Sequence, residues 1–256
     1  MKKAILILAV AGCCSKAVAQ INESDTLRFM VRTSLTGNYQ QGNVELFALR
    51  AKLDFTFAPA GKWVLKSQNN SLYQEIYSTK ADLDIFSRNY LYYQPYRKIY
   101  PFAIGYISSN YRRKISNRFF TGAGFTYPII KKEKSMIKMS GSMVYERSVF
   151  KEDQFNHDAF NGYRSIAAWR ATLYSGGWIY ILHSCGRLYY DAFWQPAFAN
   201  RENYRWQLDA GLDIPAWKGI NFSILYLTTY ENIVIQNIRQ RDHILSFGLS
   251  YQFKQK

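Results

Sequence analysis

Cysteine is scarce in this chain of 256 residues: there are three, and Cys13 and Cys14 fall within the first twenty positions. With that segment removed only Cys185 remains, which leaves no internal disulfide and no paired-cysteine metal site. A lone thiol is more often a small buried residue than a nucleophile. Histidine is as rare, at three residues. Long apolar runs are missing as well. No segment after the N-terminus approaches eighteen consecutive apolar residues, so no membrane-spanning helix is expected. Convincing amphipathic helices are also missing. The formal net charge is +15, yet no zinc, helix-turn-helix or RNA-binding signature accompanies it. Nucleic acid is therefore not an expected partner. Positive residues spread along the whole chain suit anionic lipid head groups, or an anionic solute in a pore.

What is present is aromatic and dispersed. Aromatic residues make up 17%, with 21 Tyr and 17 Phe. Hydrophobic residues reach 48% while mean hydropathy is −0.27, so apolar residues alternate with polar ones. Rings in such number are expected where they sit at a membrane–water interface. A soluble, aromatic-rich β-sandwich is the competing reading.

The N-terminus reads as an export signal. Met1-Lys2-Lys3 is a basic start, Ala4 to Gly12 is an apolar stretch too short to span a bilayer, and Ala17-Val18-Ala19 is a small-x-small cleavage site. Residues 1–19 are therefore expected to be a cleaved signal peptide and residues 20–256 the mature domain. Loss of Lys2, Lys3 and Lys16 lowers the net charge to about +12. Val10-Ala11-Gly12-Cys13 offers an alternative, a lipoprotein box with Cys13 lipidated. Both readings export the protein.

From Gln20 onward strand-like alternation recurs. One segment reads Leu27-x-Phe29-x-Val31-x-Thr33-x-Leu35, and the next runs in alternate positions from Phe47 to Phe57 with Arg50, Lys52, Asp54 and Thr56 on its other face. Ten more candidates follow, at 62–72, 82–93, 98–109, 117–129, 134–147, 163–174, 177–190, 203–214, 217–229 and 243–254. Twelve strands of about ten to fifteen residues are too long for an ordinary soluble sheet. They suit a tilted bilayer crossing. Short turns are expected at Ala58-Pro59-Ala60-Gly61, Gln94-Pro95-Tyr96, Lys131-Lys132-Glu133, Ser175-Gly176 and Pro215-Ala216. Longer loops are expected at 36–43, 73–81, 109–116, 148–162, 191–202 and 230–242. Alternating short and long connections suit tight periplasmic turns and larger external loops. The expected fold is all-β: a single closed antiparallel transmembrane β-barrel of about twelve strands, with both termini periplasmic.

Charges on the polar strand face include Arg28, Arg32, Arg50, Lys52, Asp54, Asp84, Arg88, Arg205 and Asp209. Facing lipid at mid-depth, each would cost about 2–4 kcal/mol. Facing a lumen they pair across strands. The expected lumen is thus of mixed charge and net basic. The cluster Arg112-Arg113-Lys114 with Arg118 is read either as a rim contact for lipopolysaccharide phosphates or as a solvated loop. In the last strand Ser246, Gly248, Tyr251 and Phe253 fit a polar-x-Gly-x-x-aromatic-x-aromatic pattern. This resembles the signal that barrel-assembly machinery reads on a closing strand.

Three stretches carry a family resemblance: Thr36-Gly37-Asn38-Tyr39-Gln40-Gln41-Gly42-Asn43, Asp84 to Tyr90, and Arg118 to Tyr127. They resemble the salt-induced outer-membrane protein family, domain of unknown function 481. The resemblance implies a barrel in the bacterial outer membrane, and it supplies no catalytic residues. Gly37 and Gly42 are expected to give an external loop its positive φ. Gly122 and Gly124 are expected to permit close approach or curvature within a strand.

Catalytic constellations are weak. His183 and Ser184 are adjacent, so on a strand they point to opposite faces. His157 has Asp158 and Asp153 nearby, and His243 follows Asp242, but no serine is placed for either. No enzyme, metal or cofactor is expected. The functional expectation is a narrow pore or an envelope-integrity or stress-related barrel. Its alternatives are a closed barrel acting through external loops and lipopolysaccharide, and a lipid hydrolase or acyltransferase at the rim. Oligomeric state is left open.

Overall fold

A computed structural model describes residues 28–42, 45–182 and 185–255. The proposed signal peptide and the His183-Ser184 pair lie outside them. The strands are β1 (Phe29–Gln40), β2 (Leu46–Ala60), β3 (Trp63–Ile76), β4 (Thr79–Tyr93), β5 (Tyr100–Asn110) and β6 (Ile115–Lys132). They continue as β7 (Ser135–Phe150), β8 (Ser165–Ile181), β9 (Gly186–Pro196), β10 (Tyr204–Trp217), β11 (Ile220–Glu231) and β12 (Arg241–Gln255). Each pairs antiparallel with its neighbours, and β1 pairs with β12 to close the barrel. The shortest strands, β5 and β9, have 11 residues. At ~3.3 Å per residue and a ~45° tilt, such a strand rises about 25 Å, the height of an outer-membrane apolar band.

Alternation decides the two faces. Along β12, Phe247, Leu249, Tyr251 and Phe253 are exposed on the outside, while Ser246, Gly248 and Ser250 turn inward. Exposed aromatics gather toward both ends. Phe57, Trp63, Tyr127, Trp217 and Phe253 lie at the end bearing the termini; Tyr39, Tyr145, Trp169 and Trp194 lie toward the other. An apolar exterior between two aromatic girdles is the surface a bilayer requires.

Gly248 sits at the closing seam. A Cβ there would lie 2.3 Å from the Leu35 carbonyl oxygen, a contact real side chains do not make. Gly122 likewise approaches the Met143 carbonyl, as expected of a close strand contact. Gly248→Val is therefore expected to destabilise the barrel by about 1–3 kcal/mol or more. The check is the fraction of heat-modifiable, folded band on unboiled gels after refolding. A wild-type fraction for Gly248→Val would contradict the close seam.

Several connections differ from expectation. Residues 73–81 hold a two-residue turn, Tyr77-Ser78, with φ of 47° and 54°. Tight hairpins need such angles and usually take Asn or Gly there, so this turn left no sequence signal. The 109–116 loop is a four-residue turn between β5 and β6. Ser175-Gly176 is no turn, because β8 runs straight through it. Gly176 instead makes room for Tyr174 to donate to Asp191 Oδ1 at 2.6 Å. The Pro215-Ala216 turn moves to Lys218-Gly219, both at positive φ. Gly37 lies within β1, so of these two glycines Gly42 alone has positive φ, at 133°. Cys185 is disulfide-bonded, where a lone thiol is expected.

Candidate functional site in the lumen

Inward positions carry both charges and rings. Near the end bearing the termini, Val64, Tyr90, Tyr92, Tyr100, Phe102 and Phe120 form a buried aromatic wedge. On the other side of the lumen Met136, Trp178, Tyr189 and Leu225 pack together. The polar face of β4 thus holds Phe86, Tyr90 and Tyr92 beside Asp82, Asp84 and Arg88. Period two predicts this, although charge alone draws the eye first.

Asp213 organises the charges of this half. It accepts from Arg32 Nη2 at 2.5 Å, Arg187 Nη1 at 3.0 Å and Ser223 Oγ at 2.6 Å. Both guanidiniums also lie over the Tyr189 ring, at 4.6 and 4.8 Å from its centroid. Such stacking adds to the ion pair where water is excluded.

The other half is held by a larger network. Glu146, 2% exposed, faces Arg205, Arg170 Nε at 3.2 Å and Arg118 Nε at 3.6 Å. Arg118 in turn forks onto Glu231, with Nη1 and Nη2 donating at 2.7 and 2.8 Å. The β5–β6 turn sends Arg113 across the barrel. Its Nη2 donates to Asp242 at 2.8 Å and to Thr229 at 2.9 Å, and its Nη1 lies 3.2 Å from Glu231. Planar guanidinium forks suit such bidentate pairing.

Two long loops cover this end. Residues 151–164 and 232–240 pair at Phe155 and Ile235, and Asn156 donates from its backbone to Val234 O at 2.9 Å. Ile115, Phe150, Phe155, Ile233 and Ile235 form a small apolar core beneath the loops. Asn232 ties in the 197–203 loop through Glu202 O at 2.7 Å.

Two cavities remain inside. A cavity of about 80 Å³ on the side of the termini is lined in part by Arg32, Lys52, Asp54, Arg88 and Asp209. A second of about 80 Å³ lies toward the looped end, with Asp84, Arg88, Arg113, Arg118 and Arg205 in its wall. Phe86 and Arg88 line both, and Arg88 stacks on Phe193 at 4.1 Å. Phe86 and Arg88 thus stand at the boundary of the two cavities, with Phe193 on the side of the looped end.

The expected lumen charges are mostly placed inside. Arg50 is buried in the wall, in register with Thr36 and Leu72. Arg28 is the exception: it is exposed just before β1. The rim reading of the basic cluster needs correction. Arg113 and Arg118 are buried and ion-paired within the lumen rather than exposed at the rim. Arg112 is part-exposed but pairs with Asp82 and Asp242, and Lys114 pairs with Glu152. A basic run reads as surface in sequence, and the partners that draw it inward lie on other strands.

The remaining histidines form no triad. His243 points outward, accepting or donating with the Tyr226 hydroxyl at 2.8 Å, whereas Asp242 points inward to Arg113. His157 pairs with Glu202 across two loops. Among the described residues no group of three metal-binding side chains comes together.

The family model named protein of unknown function, DUF481, matches residues 33–253. The chain belongs to that family. No curated protein matches it in sequence. Among solved structures, this DUF481 chain is similar to the translocator domain of autotransporter NalP from Neisseria meningitidis, at 12% identity and TM-score 0.46, covering 98% of this chain and 95% of that one. It is also similar to the NanC porin, at 10% identity and TM-score 0.48, covering 87% and 98%. A third is the anion-selective porin from Comamonas acidovorans, at 8% identity and TM-score 0.39, covering 88% and 98%.

Proposed function

We propose that this DUF481 protein is a bacterial outer-membrane barrel closed to solutes, acting as a structural part of the envelope rather than as an open porin. Its lidded end faces outward, and its short turns and both termini face the periplasm. The observation that carries this reading is two cavities of about 80 Å³ that meet at Phe86 and Arg88, with Arg88 stacked across the lumen on Phe193. The apolar exterior supports the membrane location, and the lid over residues 151–164 and 232–240 supports closure.

A gated narrow pore is the second reading. It is favoured by the thinness of the dividing layer, since the same residues line both cavities. Osmotic swelling of liposomes bearing the purified protein tests closure. Swelling rates in a small sugar should match those of empty liposomes. Rates that rise with protein content would contradict the proposal. Fractionation with soluble periplasmic proteins, without heat-modifiable migration, would contradict the membrane location.

A further inference from the structure

The outward face is not uniformly apolar. On β3 and β4, Asn69, Ser71, Ser87 and Asn89 stand half-buried on the outward parity at mid-strand, around a buried Ser67, by the pairings Ser67↔Asn89 and Asn69↔Ser87. At the same positions β10 and β12 present Leu208, Leu212, Leu245, Phe247 and Leu249. Next to the amides the wall is low. Asn89 pairs with Gly105 and Leu91 with Ala103, and a Cβ added at Gly105 would meet nothing within 4 Å.

The amides are only half satisfied. Asn69 Nδ2 donates to Ser67 Oγ at 3.0 Å and to Leu53 O at 3.1 Å. Asn89 Nδ2 donates to Ser87 Oγ at 3.0 Å. Among the described residues, neither Oδ1 accepts a hydrogen bond, and Asn89 keeps one N–H unused. In hydrocarbon such groups are costly unless a partner covers them. A lipid tail offers neither donor nor acceptor.

We propose that a second copy of this chain covers the β3–β4 face, forming a dimer within the membrane. The patch is self-complementary. A twofold axis in the barrel-wall contact sets the free Asn89 N–H of one copy against Asn69 Oδ1 of the other, and the reverse. The low wall at Gly105 and Ala103 lets the two barrels approach closely, as small residues do between membrane helices. This inference rests on the membrane location proposed above, and it does not depend on whether the lumen conducts.

Sedimentation equilibrium of the full protein in density-matched detergent tests it. Wild type should run as a dimer. The double variant Asn69→Leu with Asn89→Leu should weaken self-association at least tenfold while keeping heat-modifiable migration. A second measurement covers failure of that variant to fold. Asn89→Cys in native membranes should give an oxidant-dependent dimer band that Leu208→Cys, on the opposite wall, does not give. A wild-type monomer at all concentrations, or cross-linking of the Asn89→Cys variant to a different protein, would overturn the proposal. Absence of the protein from membranes would overturn the membrane location instead.

Discussion

Glu146→Ala is expected to lower the stability of the barrel by about 3–5 kcal/mol, the usual cost of leaving buried charges without their partner. Glu146 is 2% exposed and neutralises three arginines from three strands, Arg118, Arg170 and Arg205. Its removal leaves those guanidiniums in an enclosed space with like charges nearby. Glu231 remains for Arg118, which limits the loss at that residue. Glu146→Gln keeps the shape and an acceptor, so it should fall between alanine and wild type. Unfolding in denaturant, followed by tryptophan fluorescence in micelles, measures this as a lower midpoint at unchanged slope. A midpoint within error of wild type would mean that the far half of the lumen is wet enough to solvate its arginines.

The second large effect is a gain. Replacing Phe86, Arg88 and Phe193 together by alanine should join the two cavities into one continuous space. Arg88 is 5% exposed and spans the lumen to stack on Phe193, so the layer consists of these side chains rather than of backbone. Backbone hydrogen bonding around the barrel is unaffected, and the fold should survive because the β4 ladders to β3 and β5 remain. Liposomes with the triple variant should swell in small solutes where wild-type liposomes do not. The looped end sets the remaining resistance, through Arg113 and its pairs with Asp242 and Glu231. A triple variant that folds yet stays impermeable would move the seal from the middle layer to that lid.

Much of this architecture is legible in alternation. Phe47 through Phe57 mark β2 and its inward charges by period alone, and the same period gives the outward aromatics of β12. Turns are harder. Tyr77-Ser78 adopts left-handed backbone without the residues that favour it, and the Gly-rich stretch at 175–177 stays extended because its glycines relieve crowding. The lumen is legible in composition but not in pairing. That Arg113 reaches Asp242 and Arg118 reaches Glu231 depends on which strands face each other across a closed barrel. No local pattern in 109–118 holds that information. The rings of Tyr90, Tyr92 and Phe102 stand on the inward parity in the sequence, and only packing shows that they gather into one buried cluster.

Single-channel recording in planar bilayers tests the closed lumen most directly. Wild-type protein, inserted and shown to be folded by its heat-modifiable migration, should give no steps above the bare-membrane leak at either polarity. Steady, ion-selective openings of the wild-type protein would contradict a barrel sealed by the Phe86–Arg88–Phe193 layer.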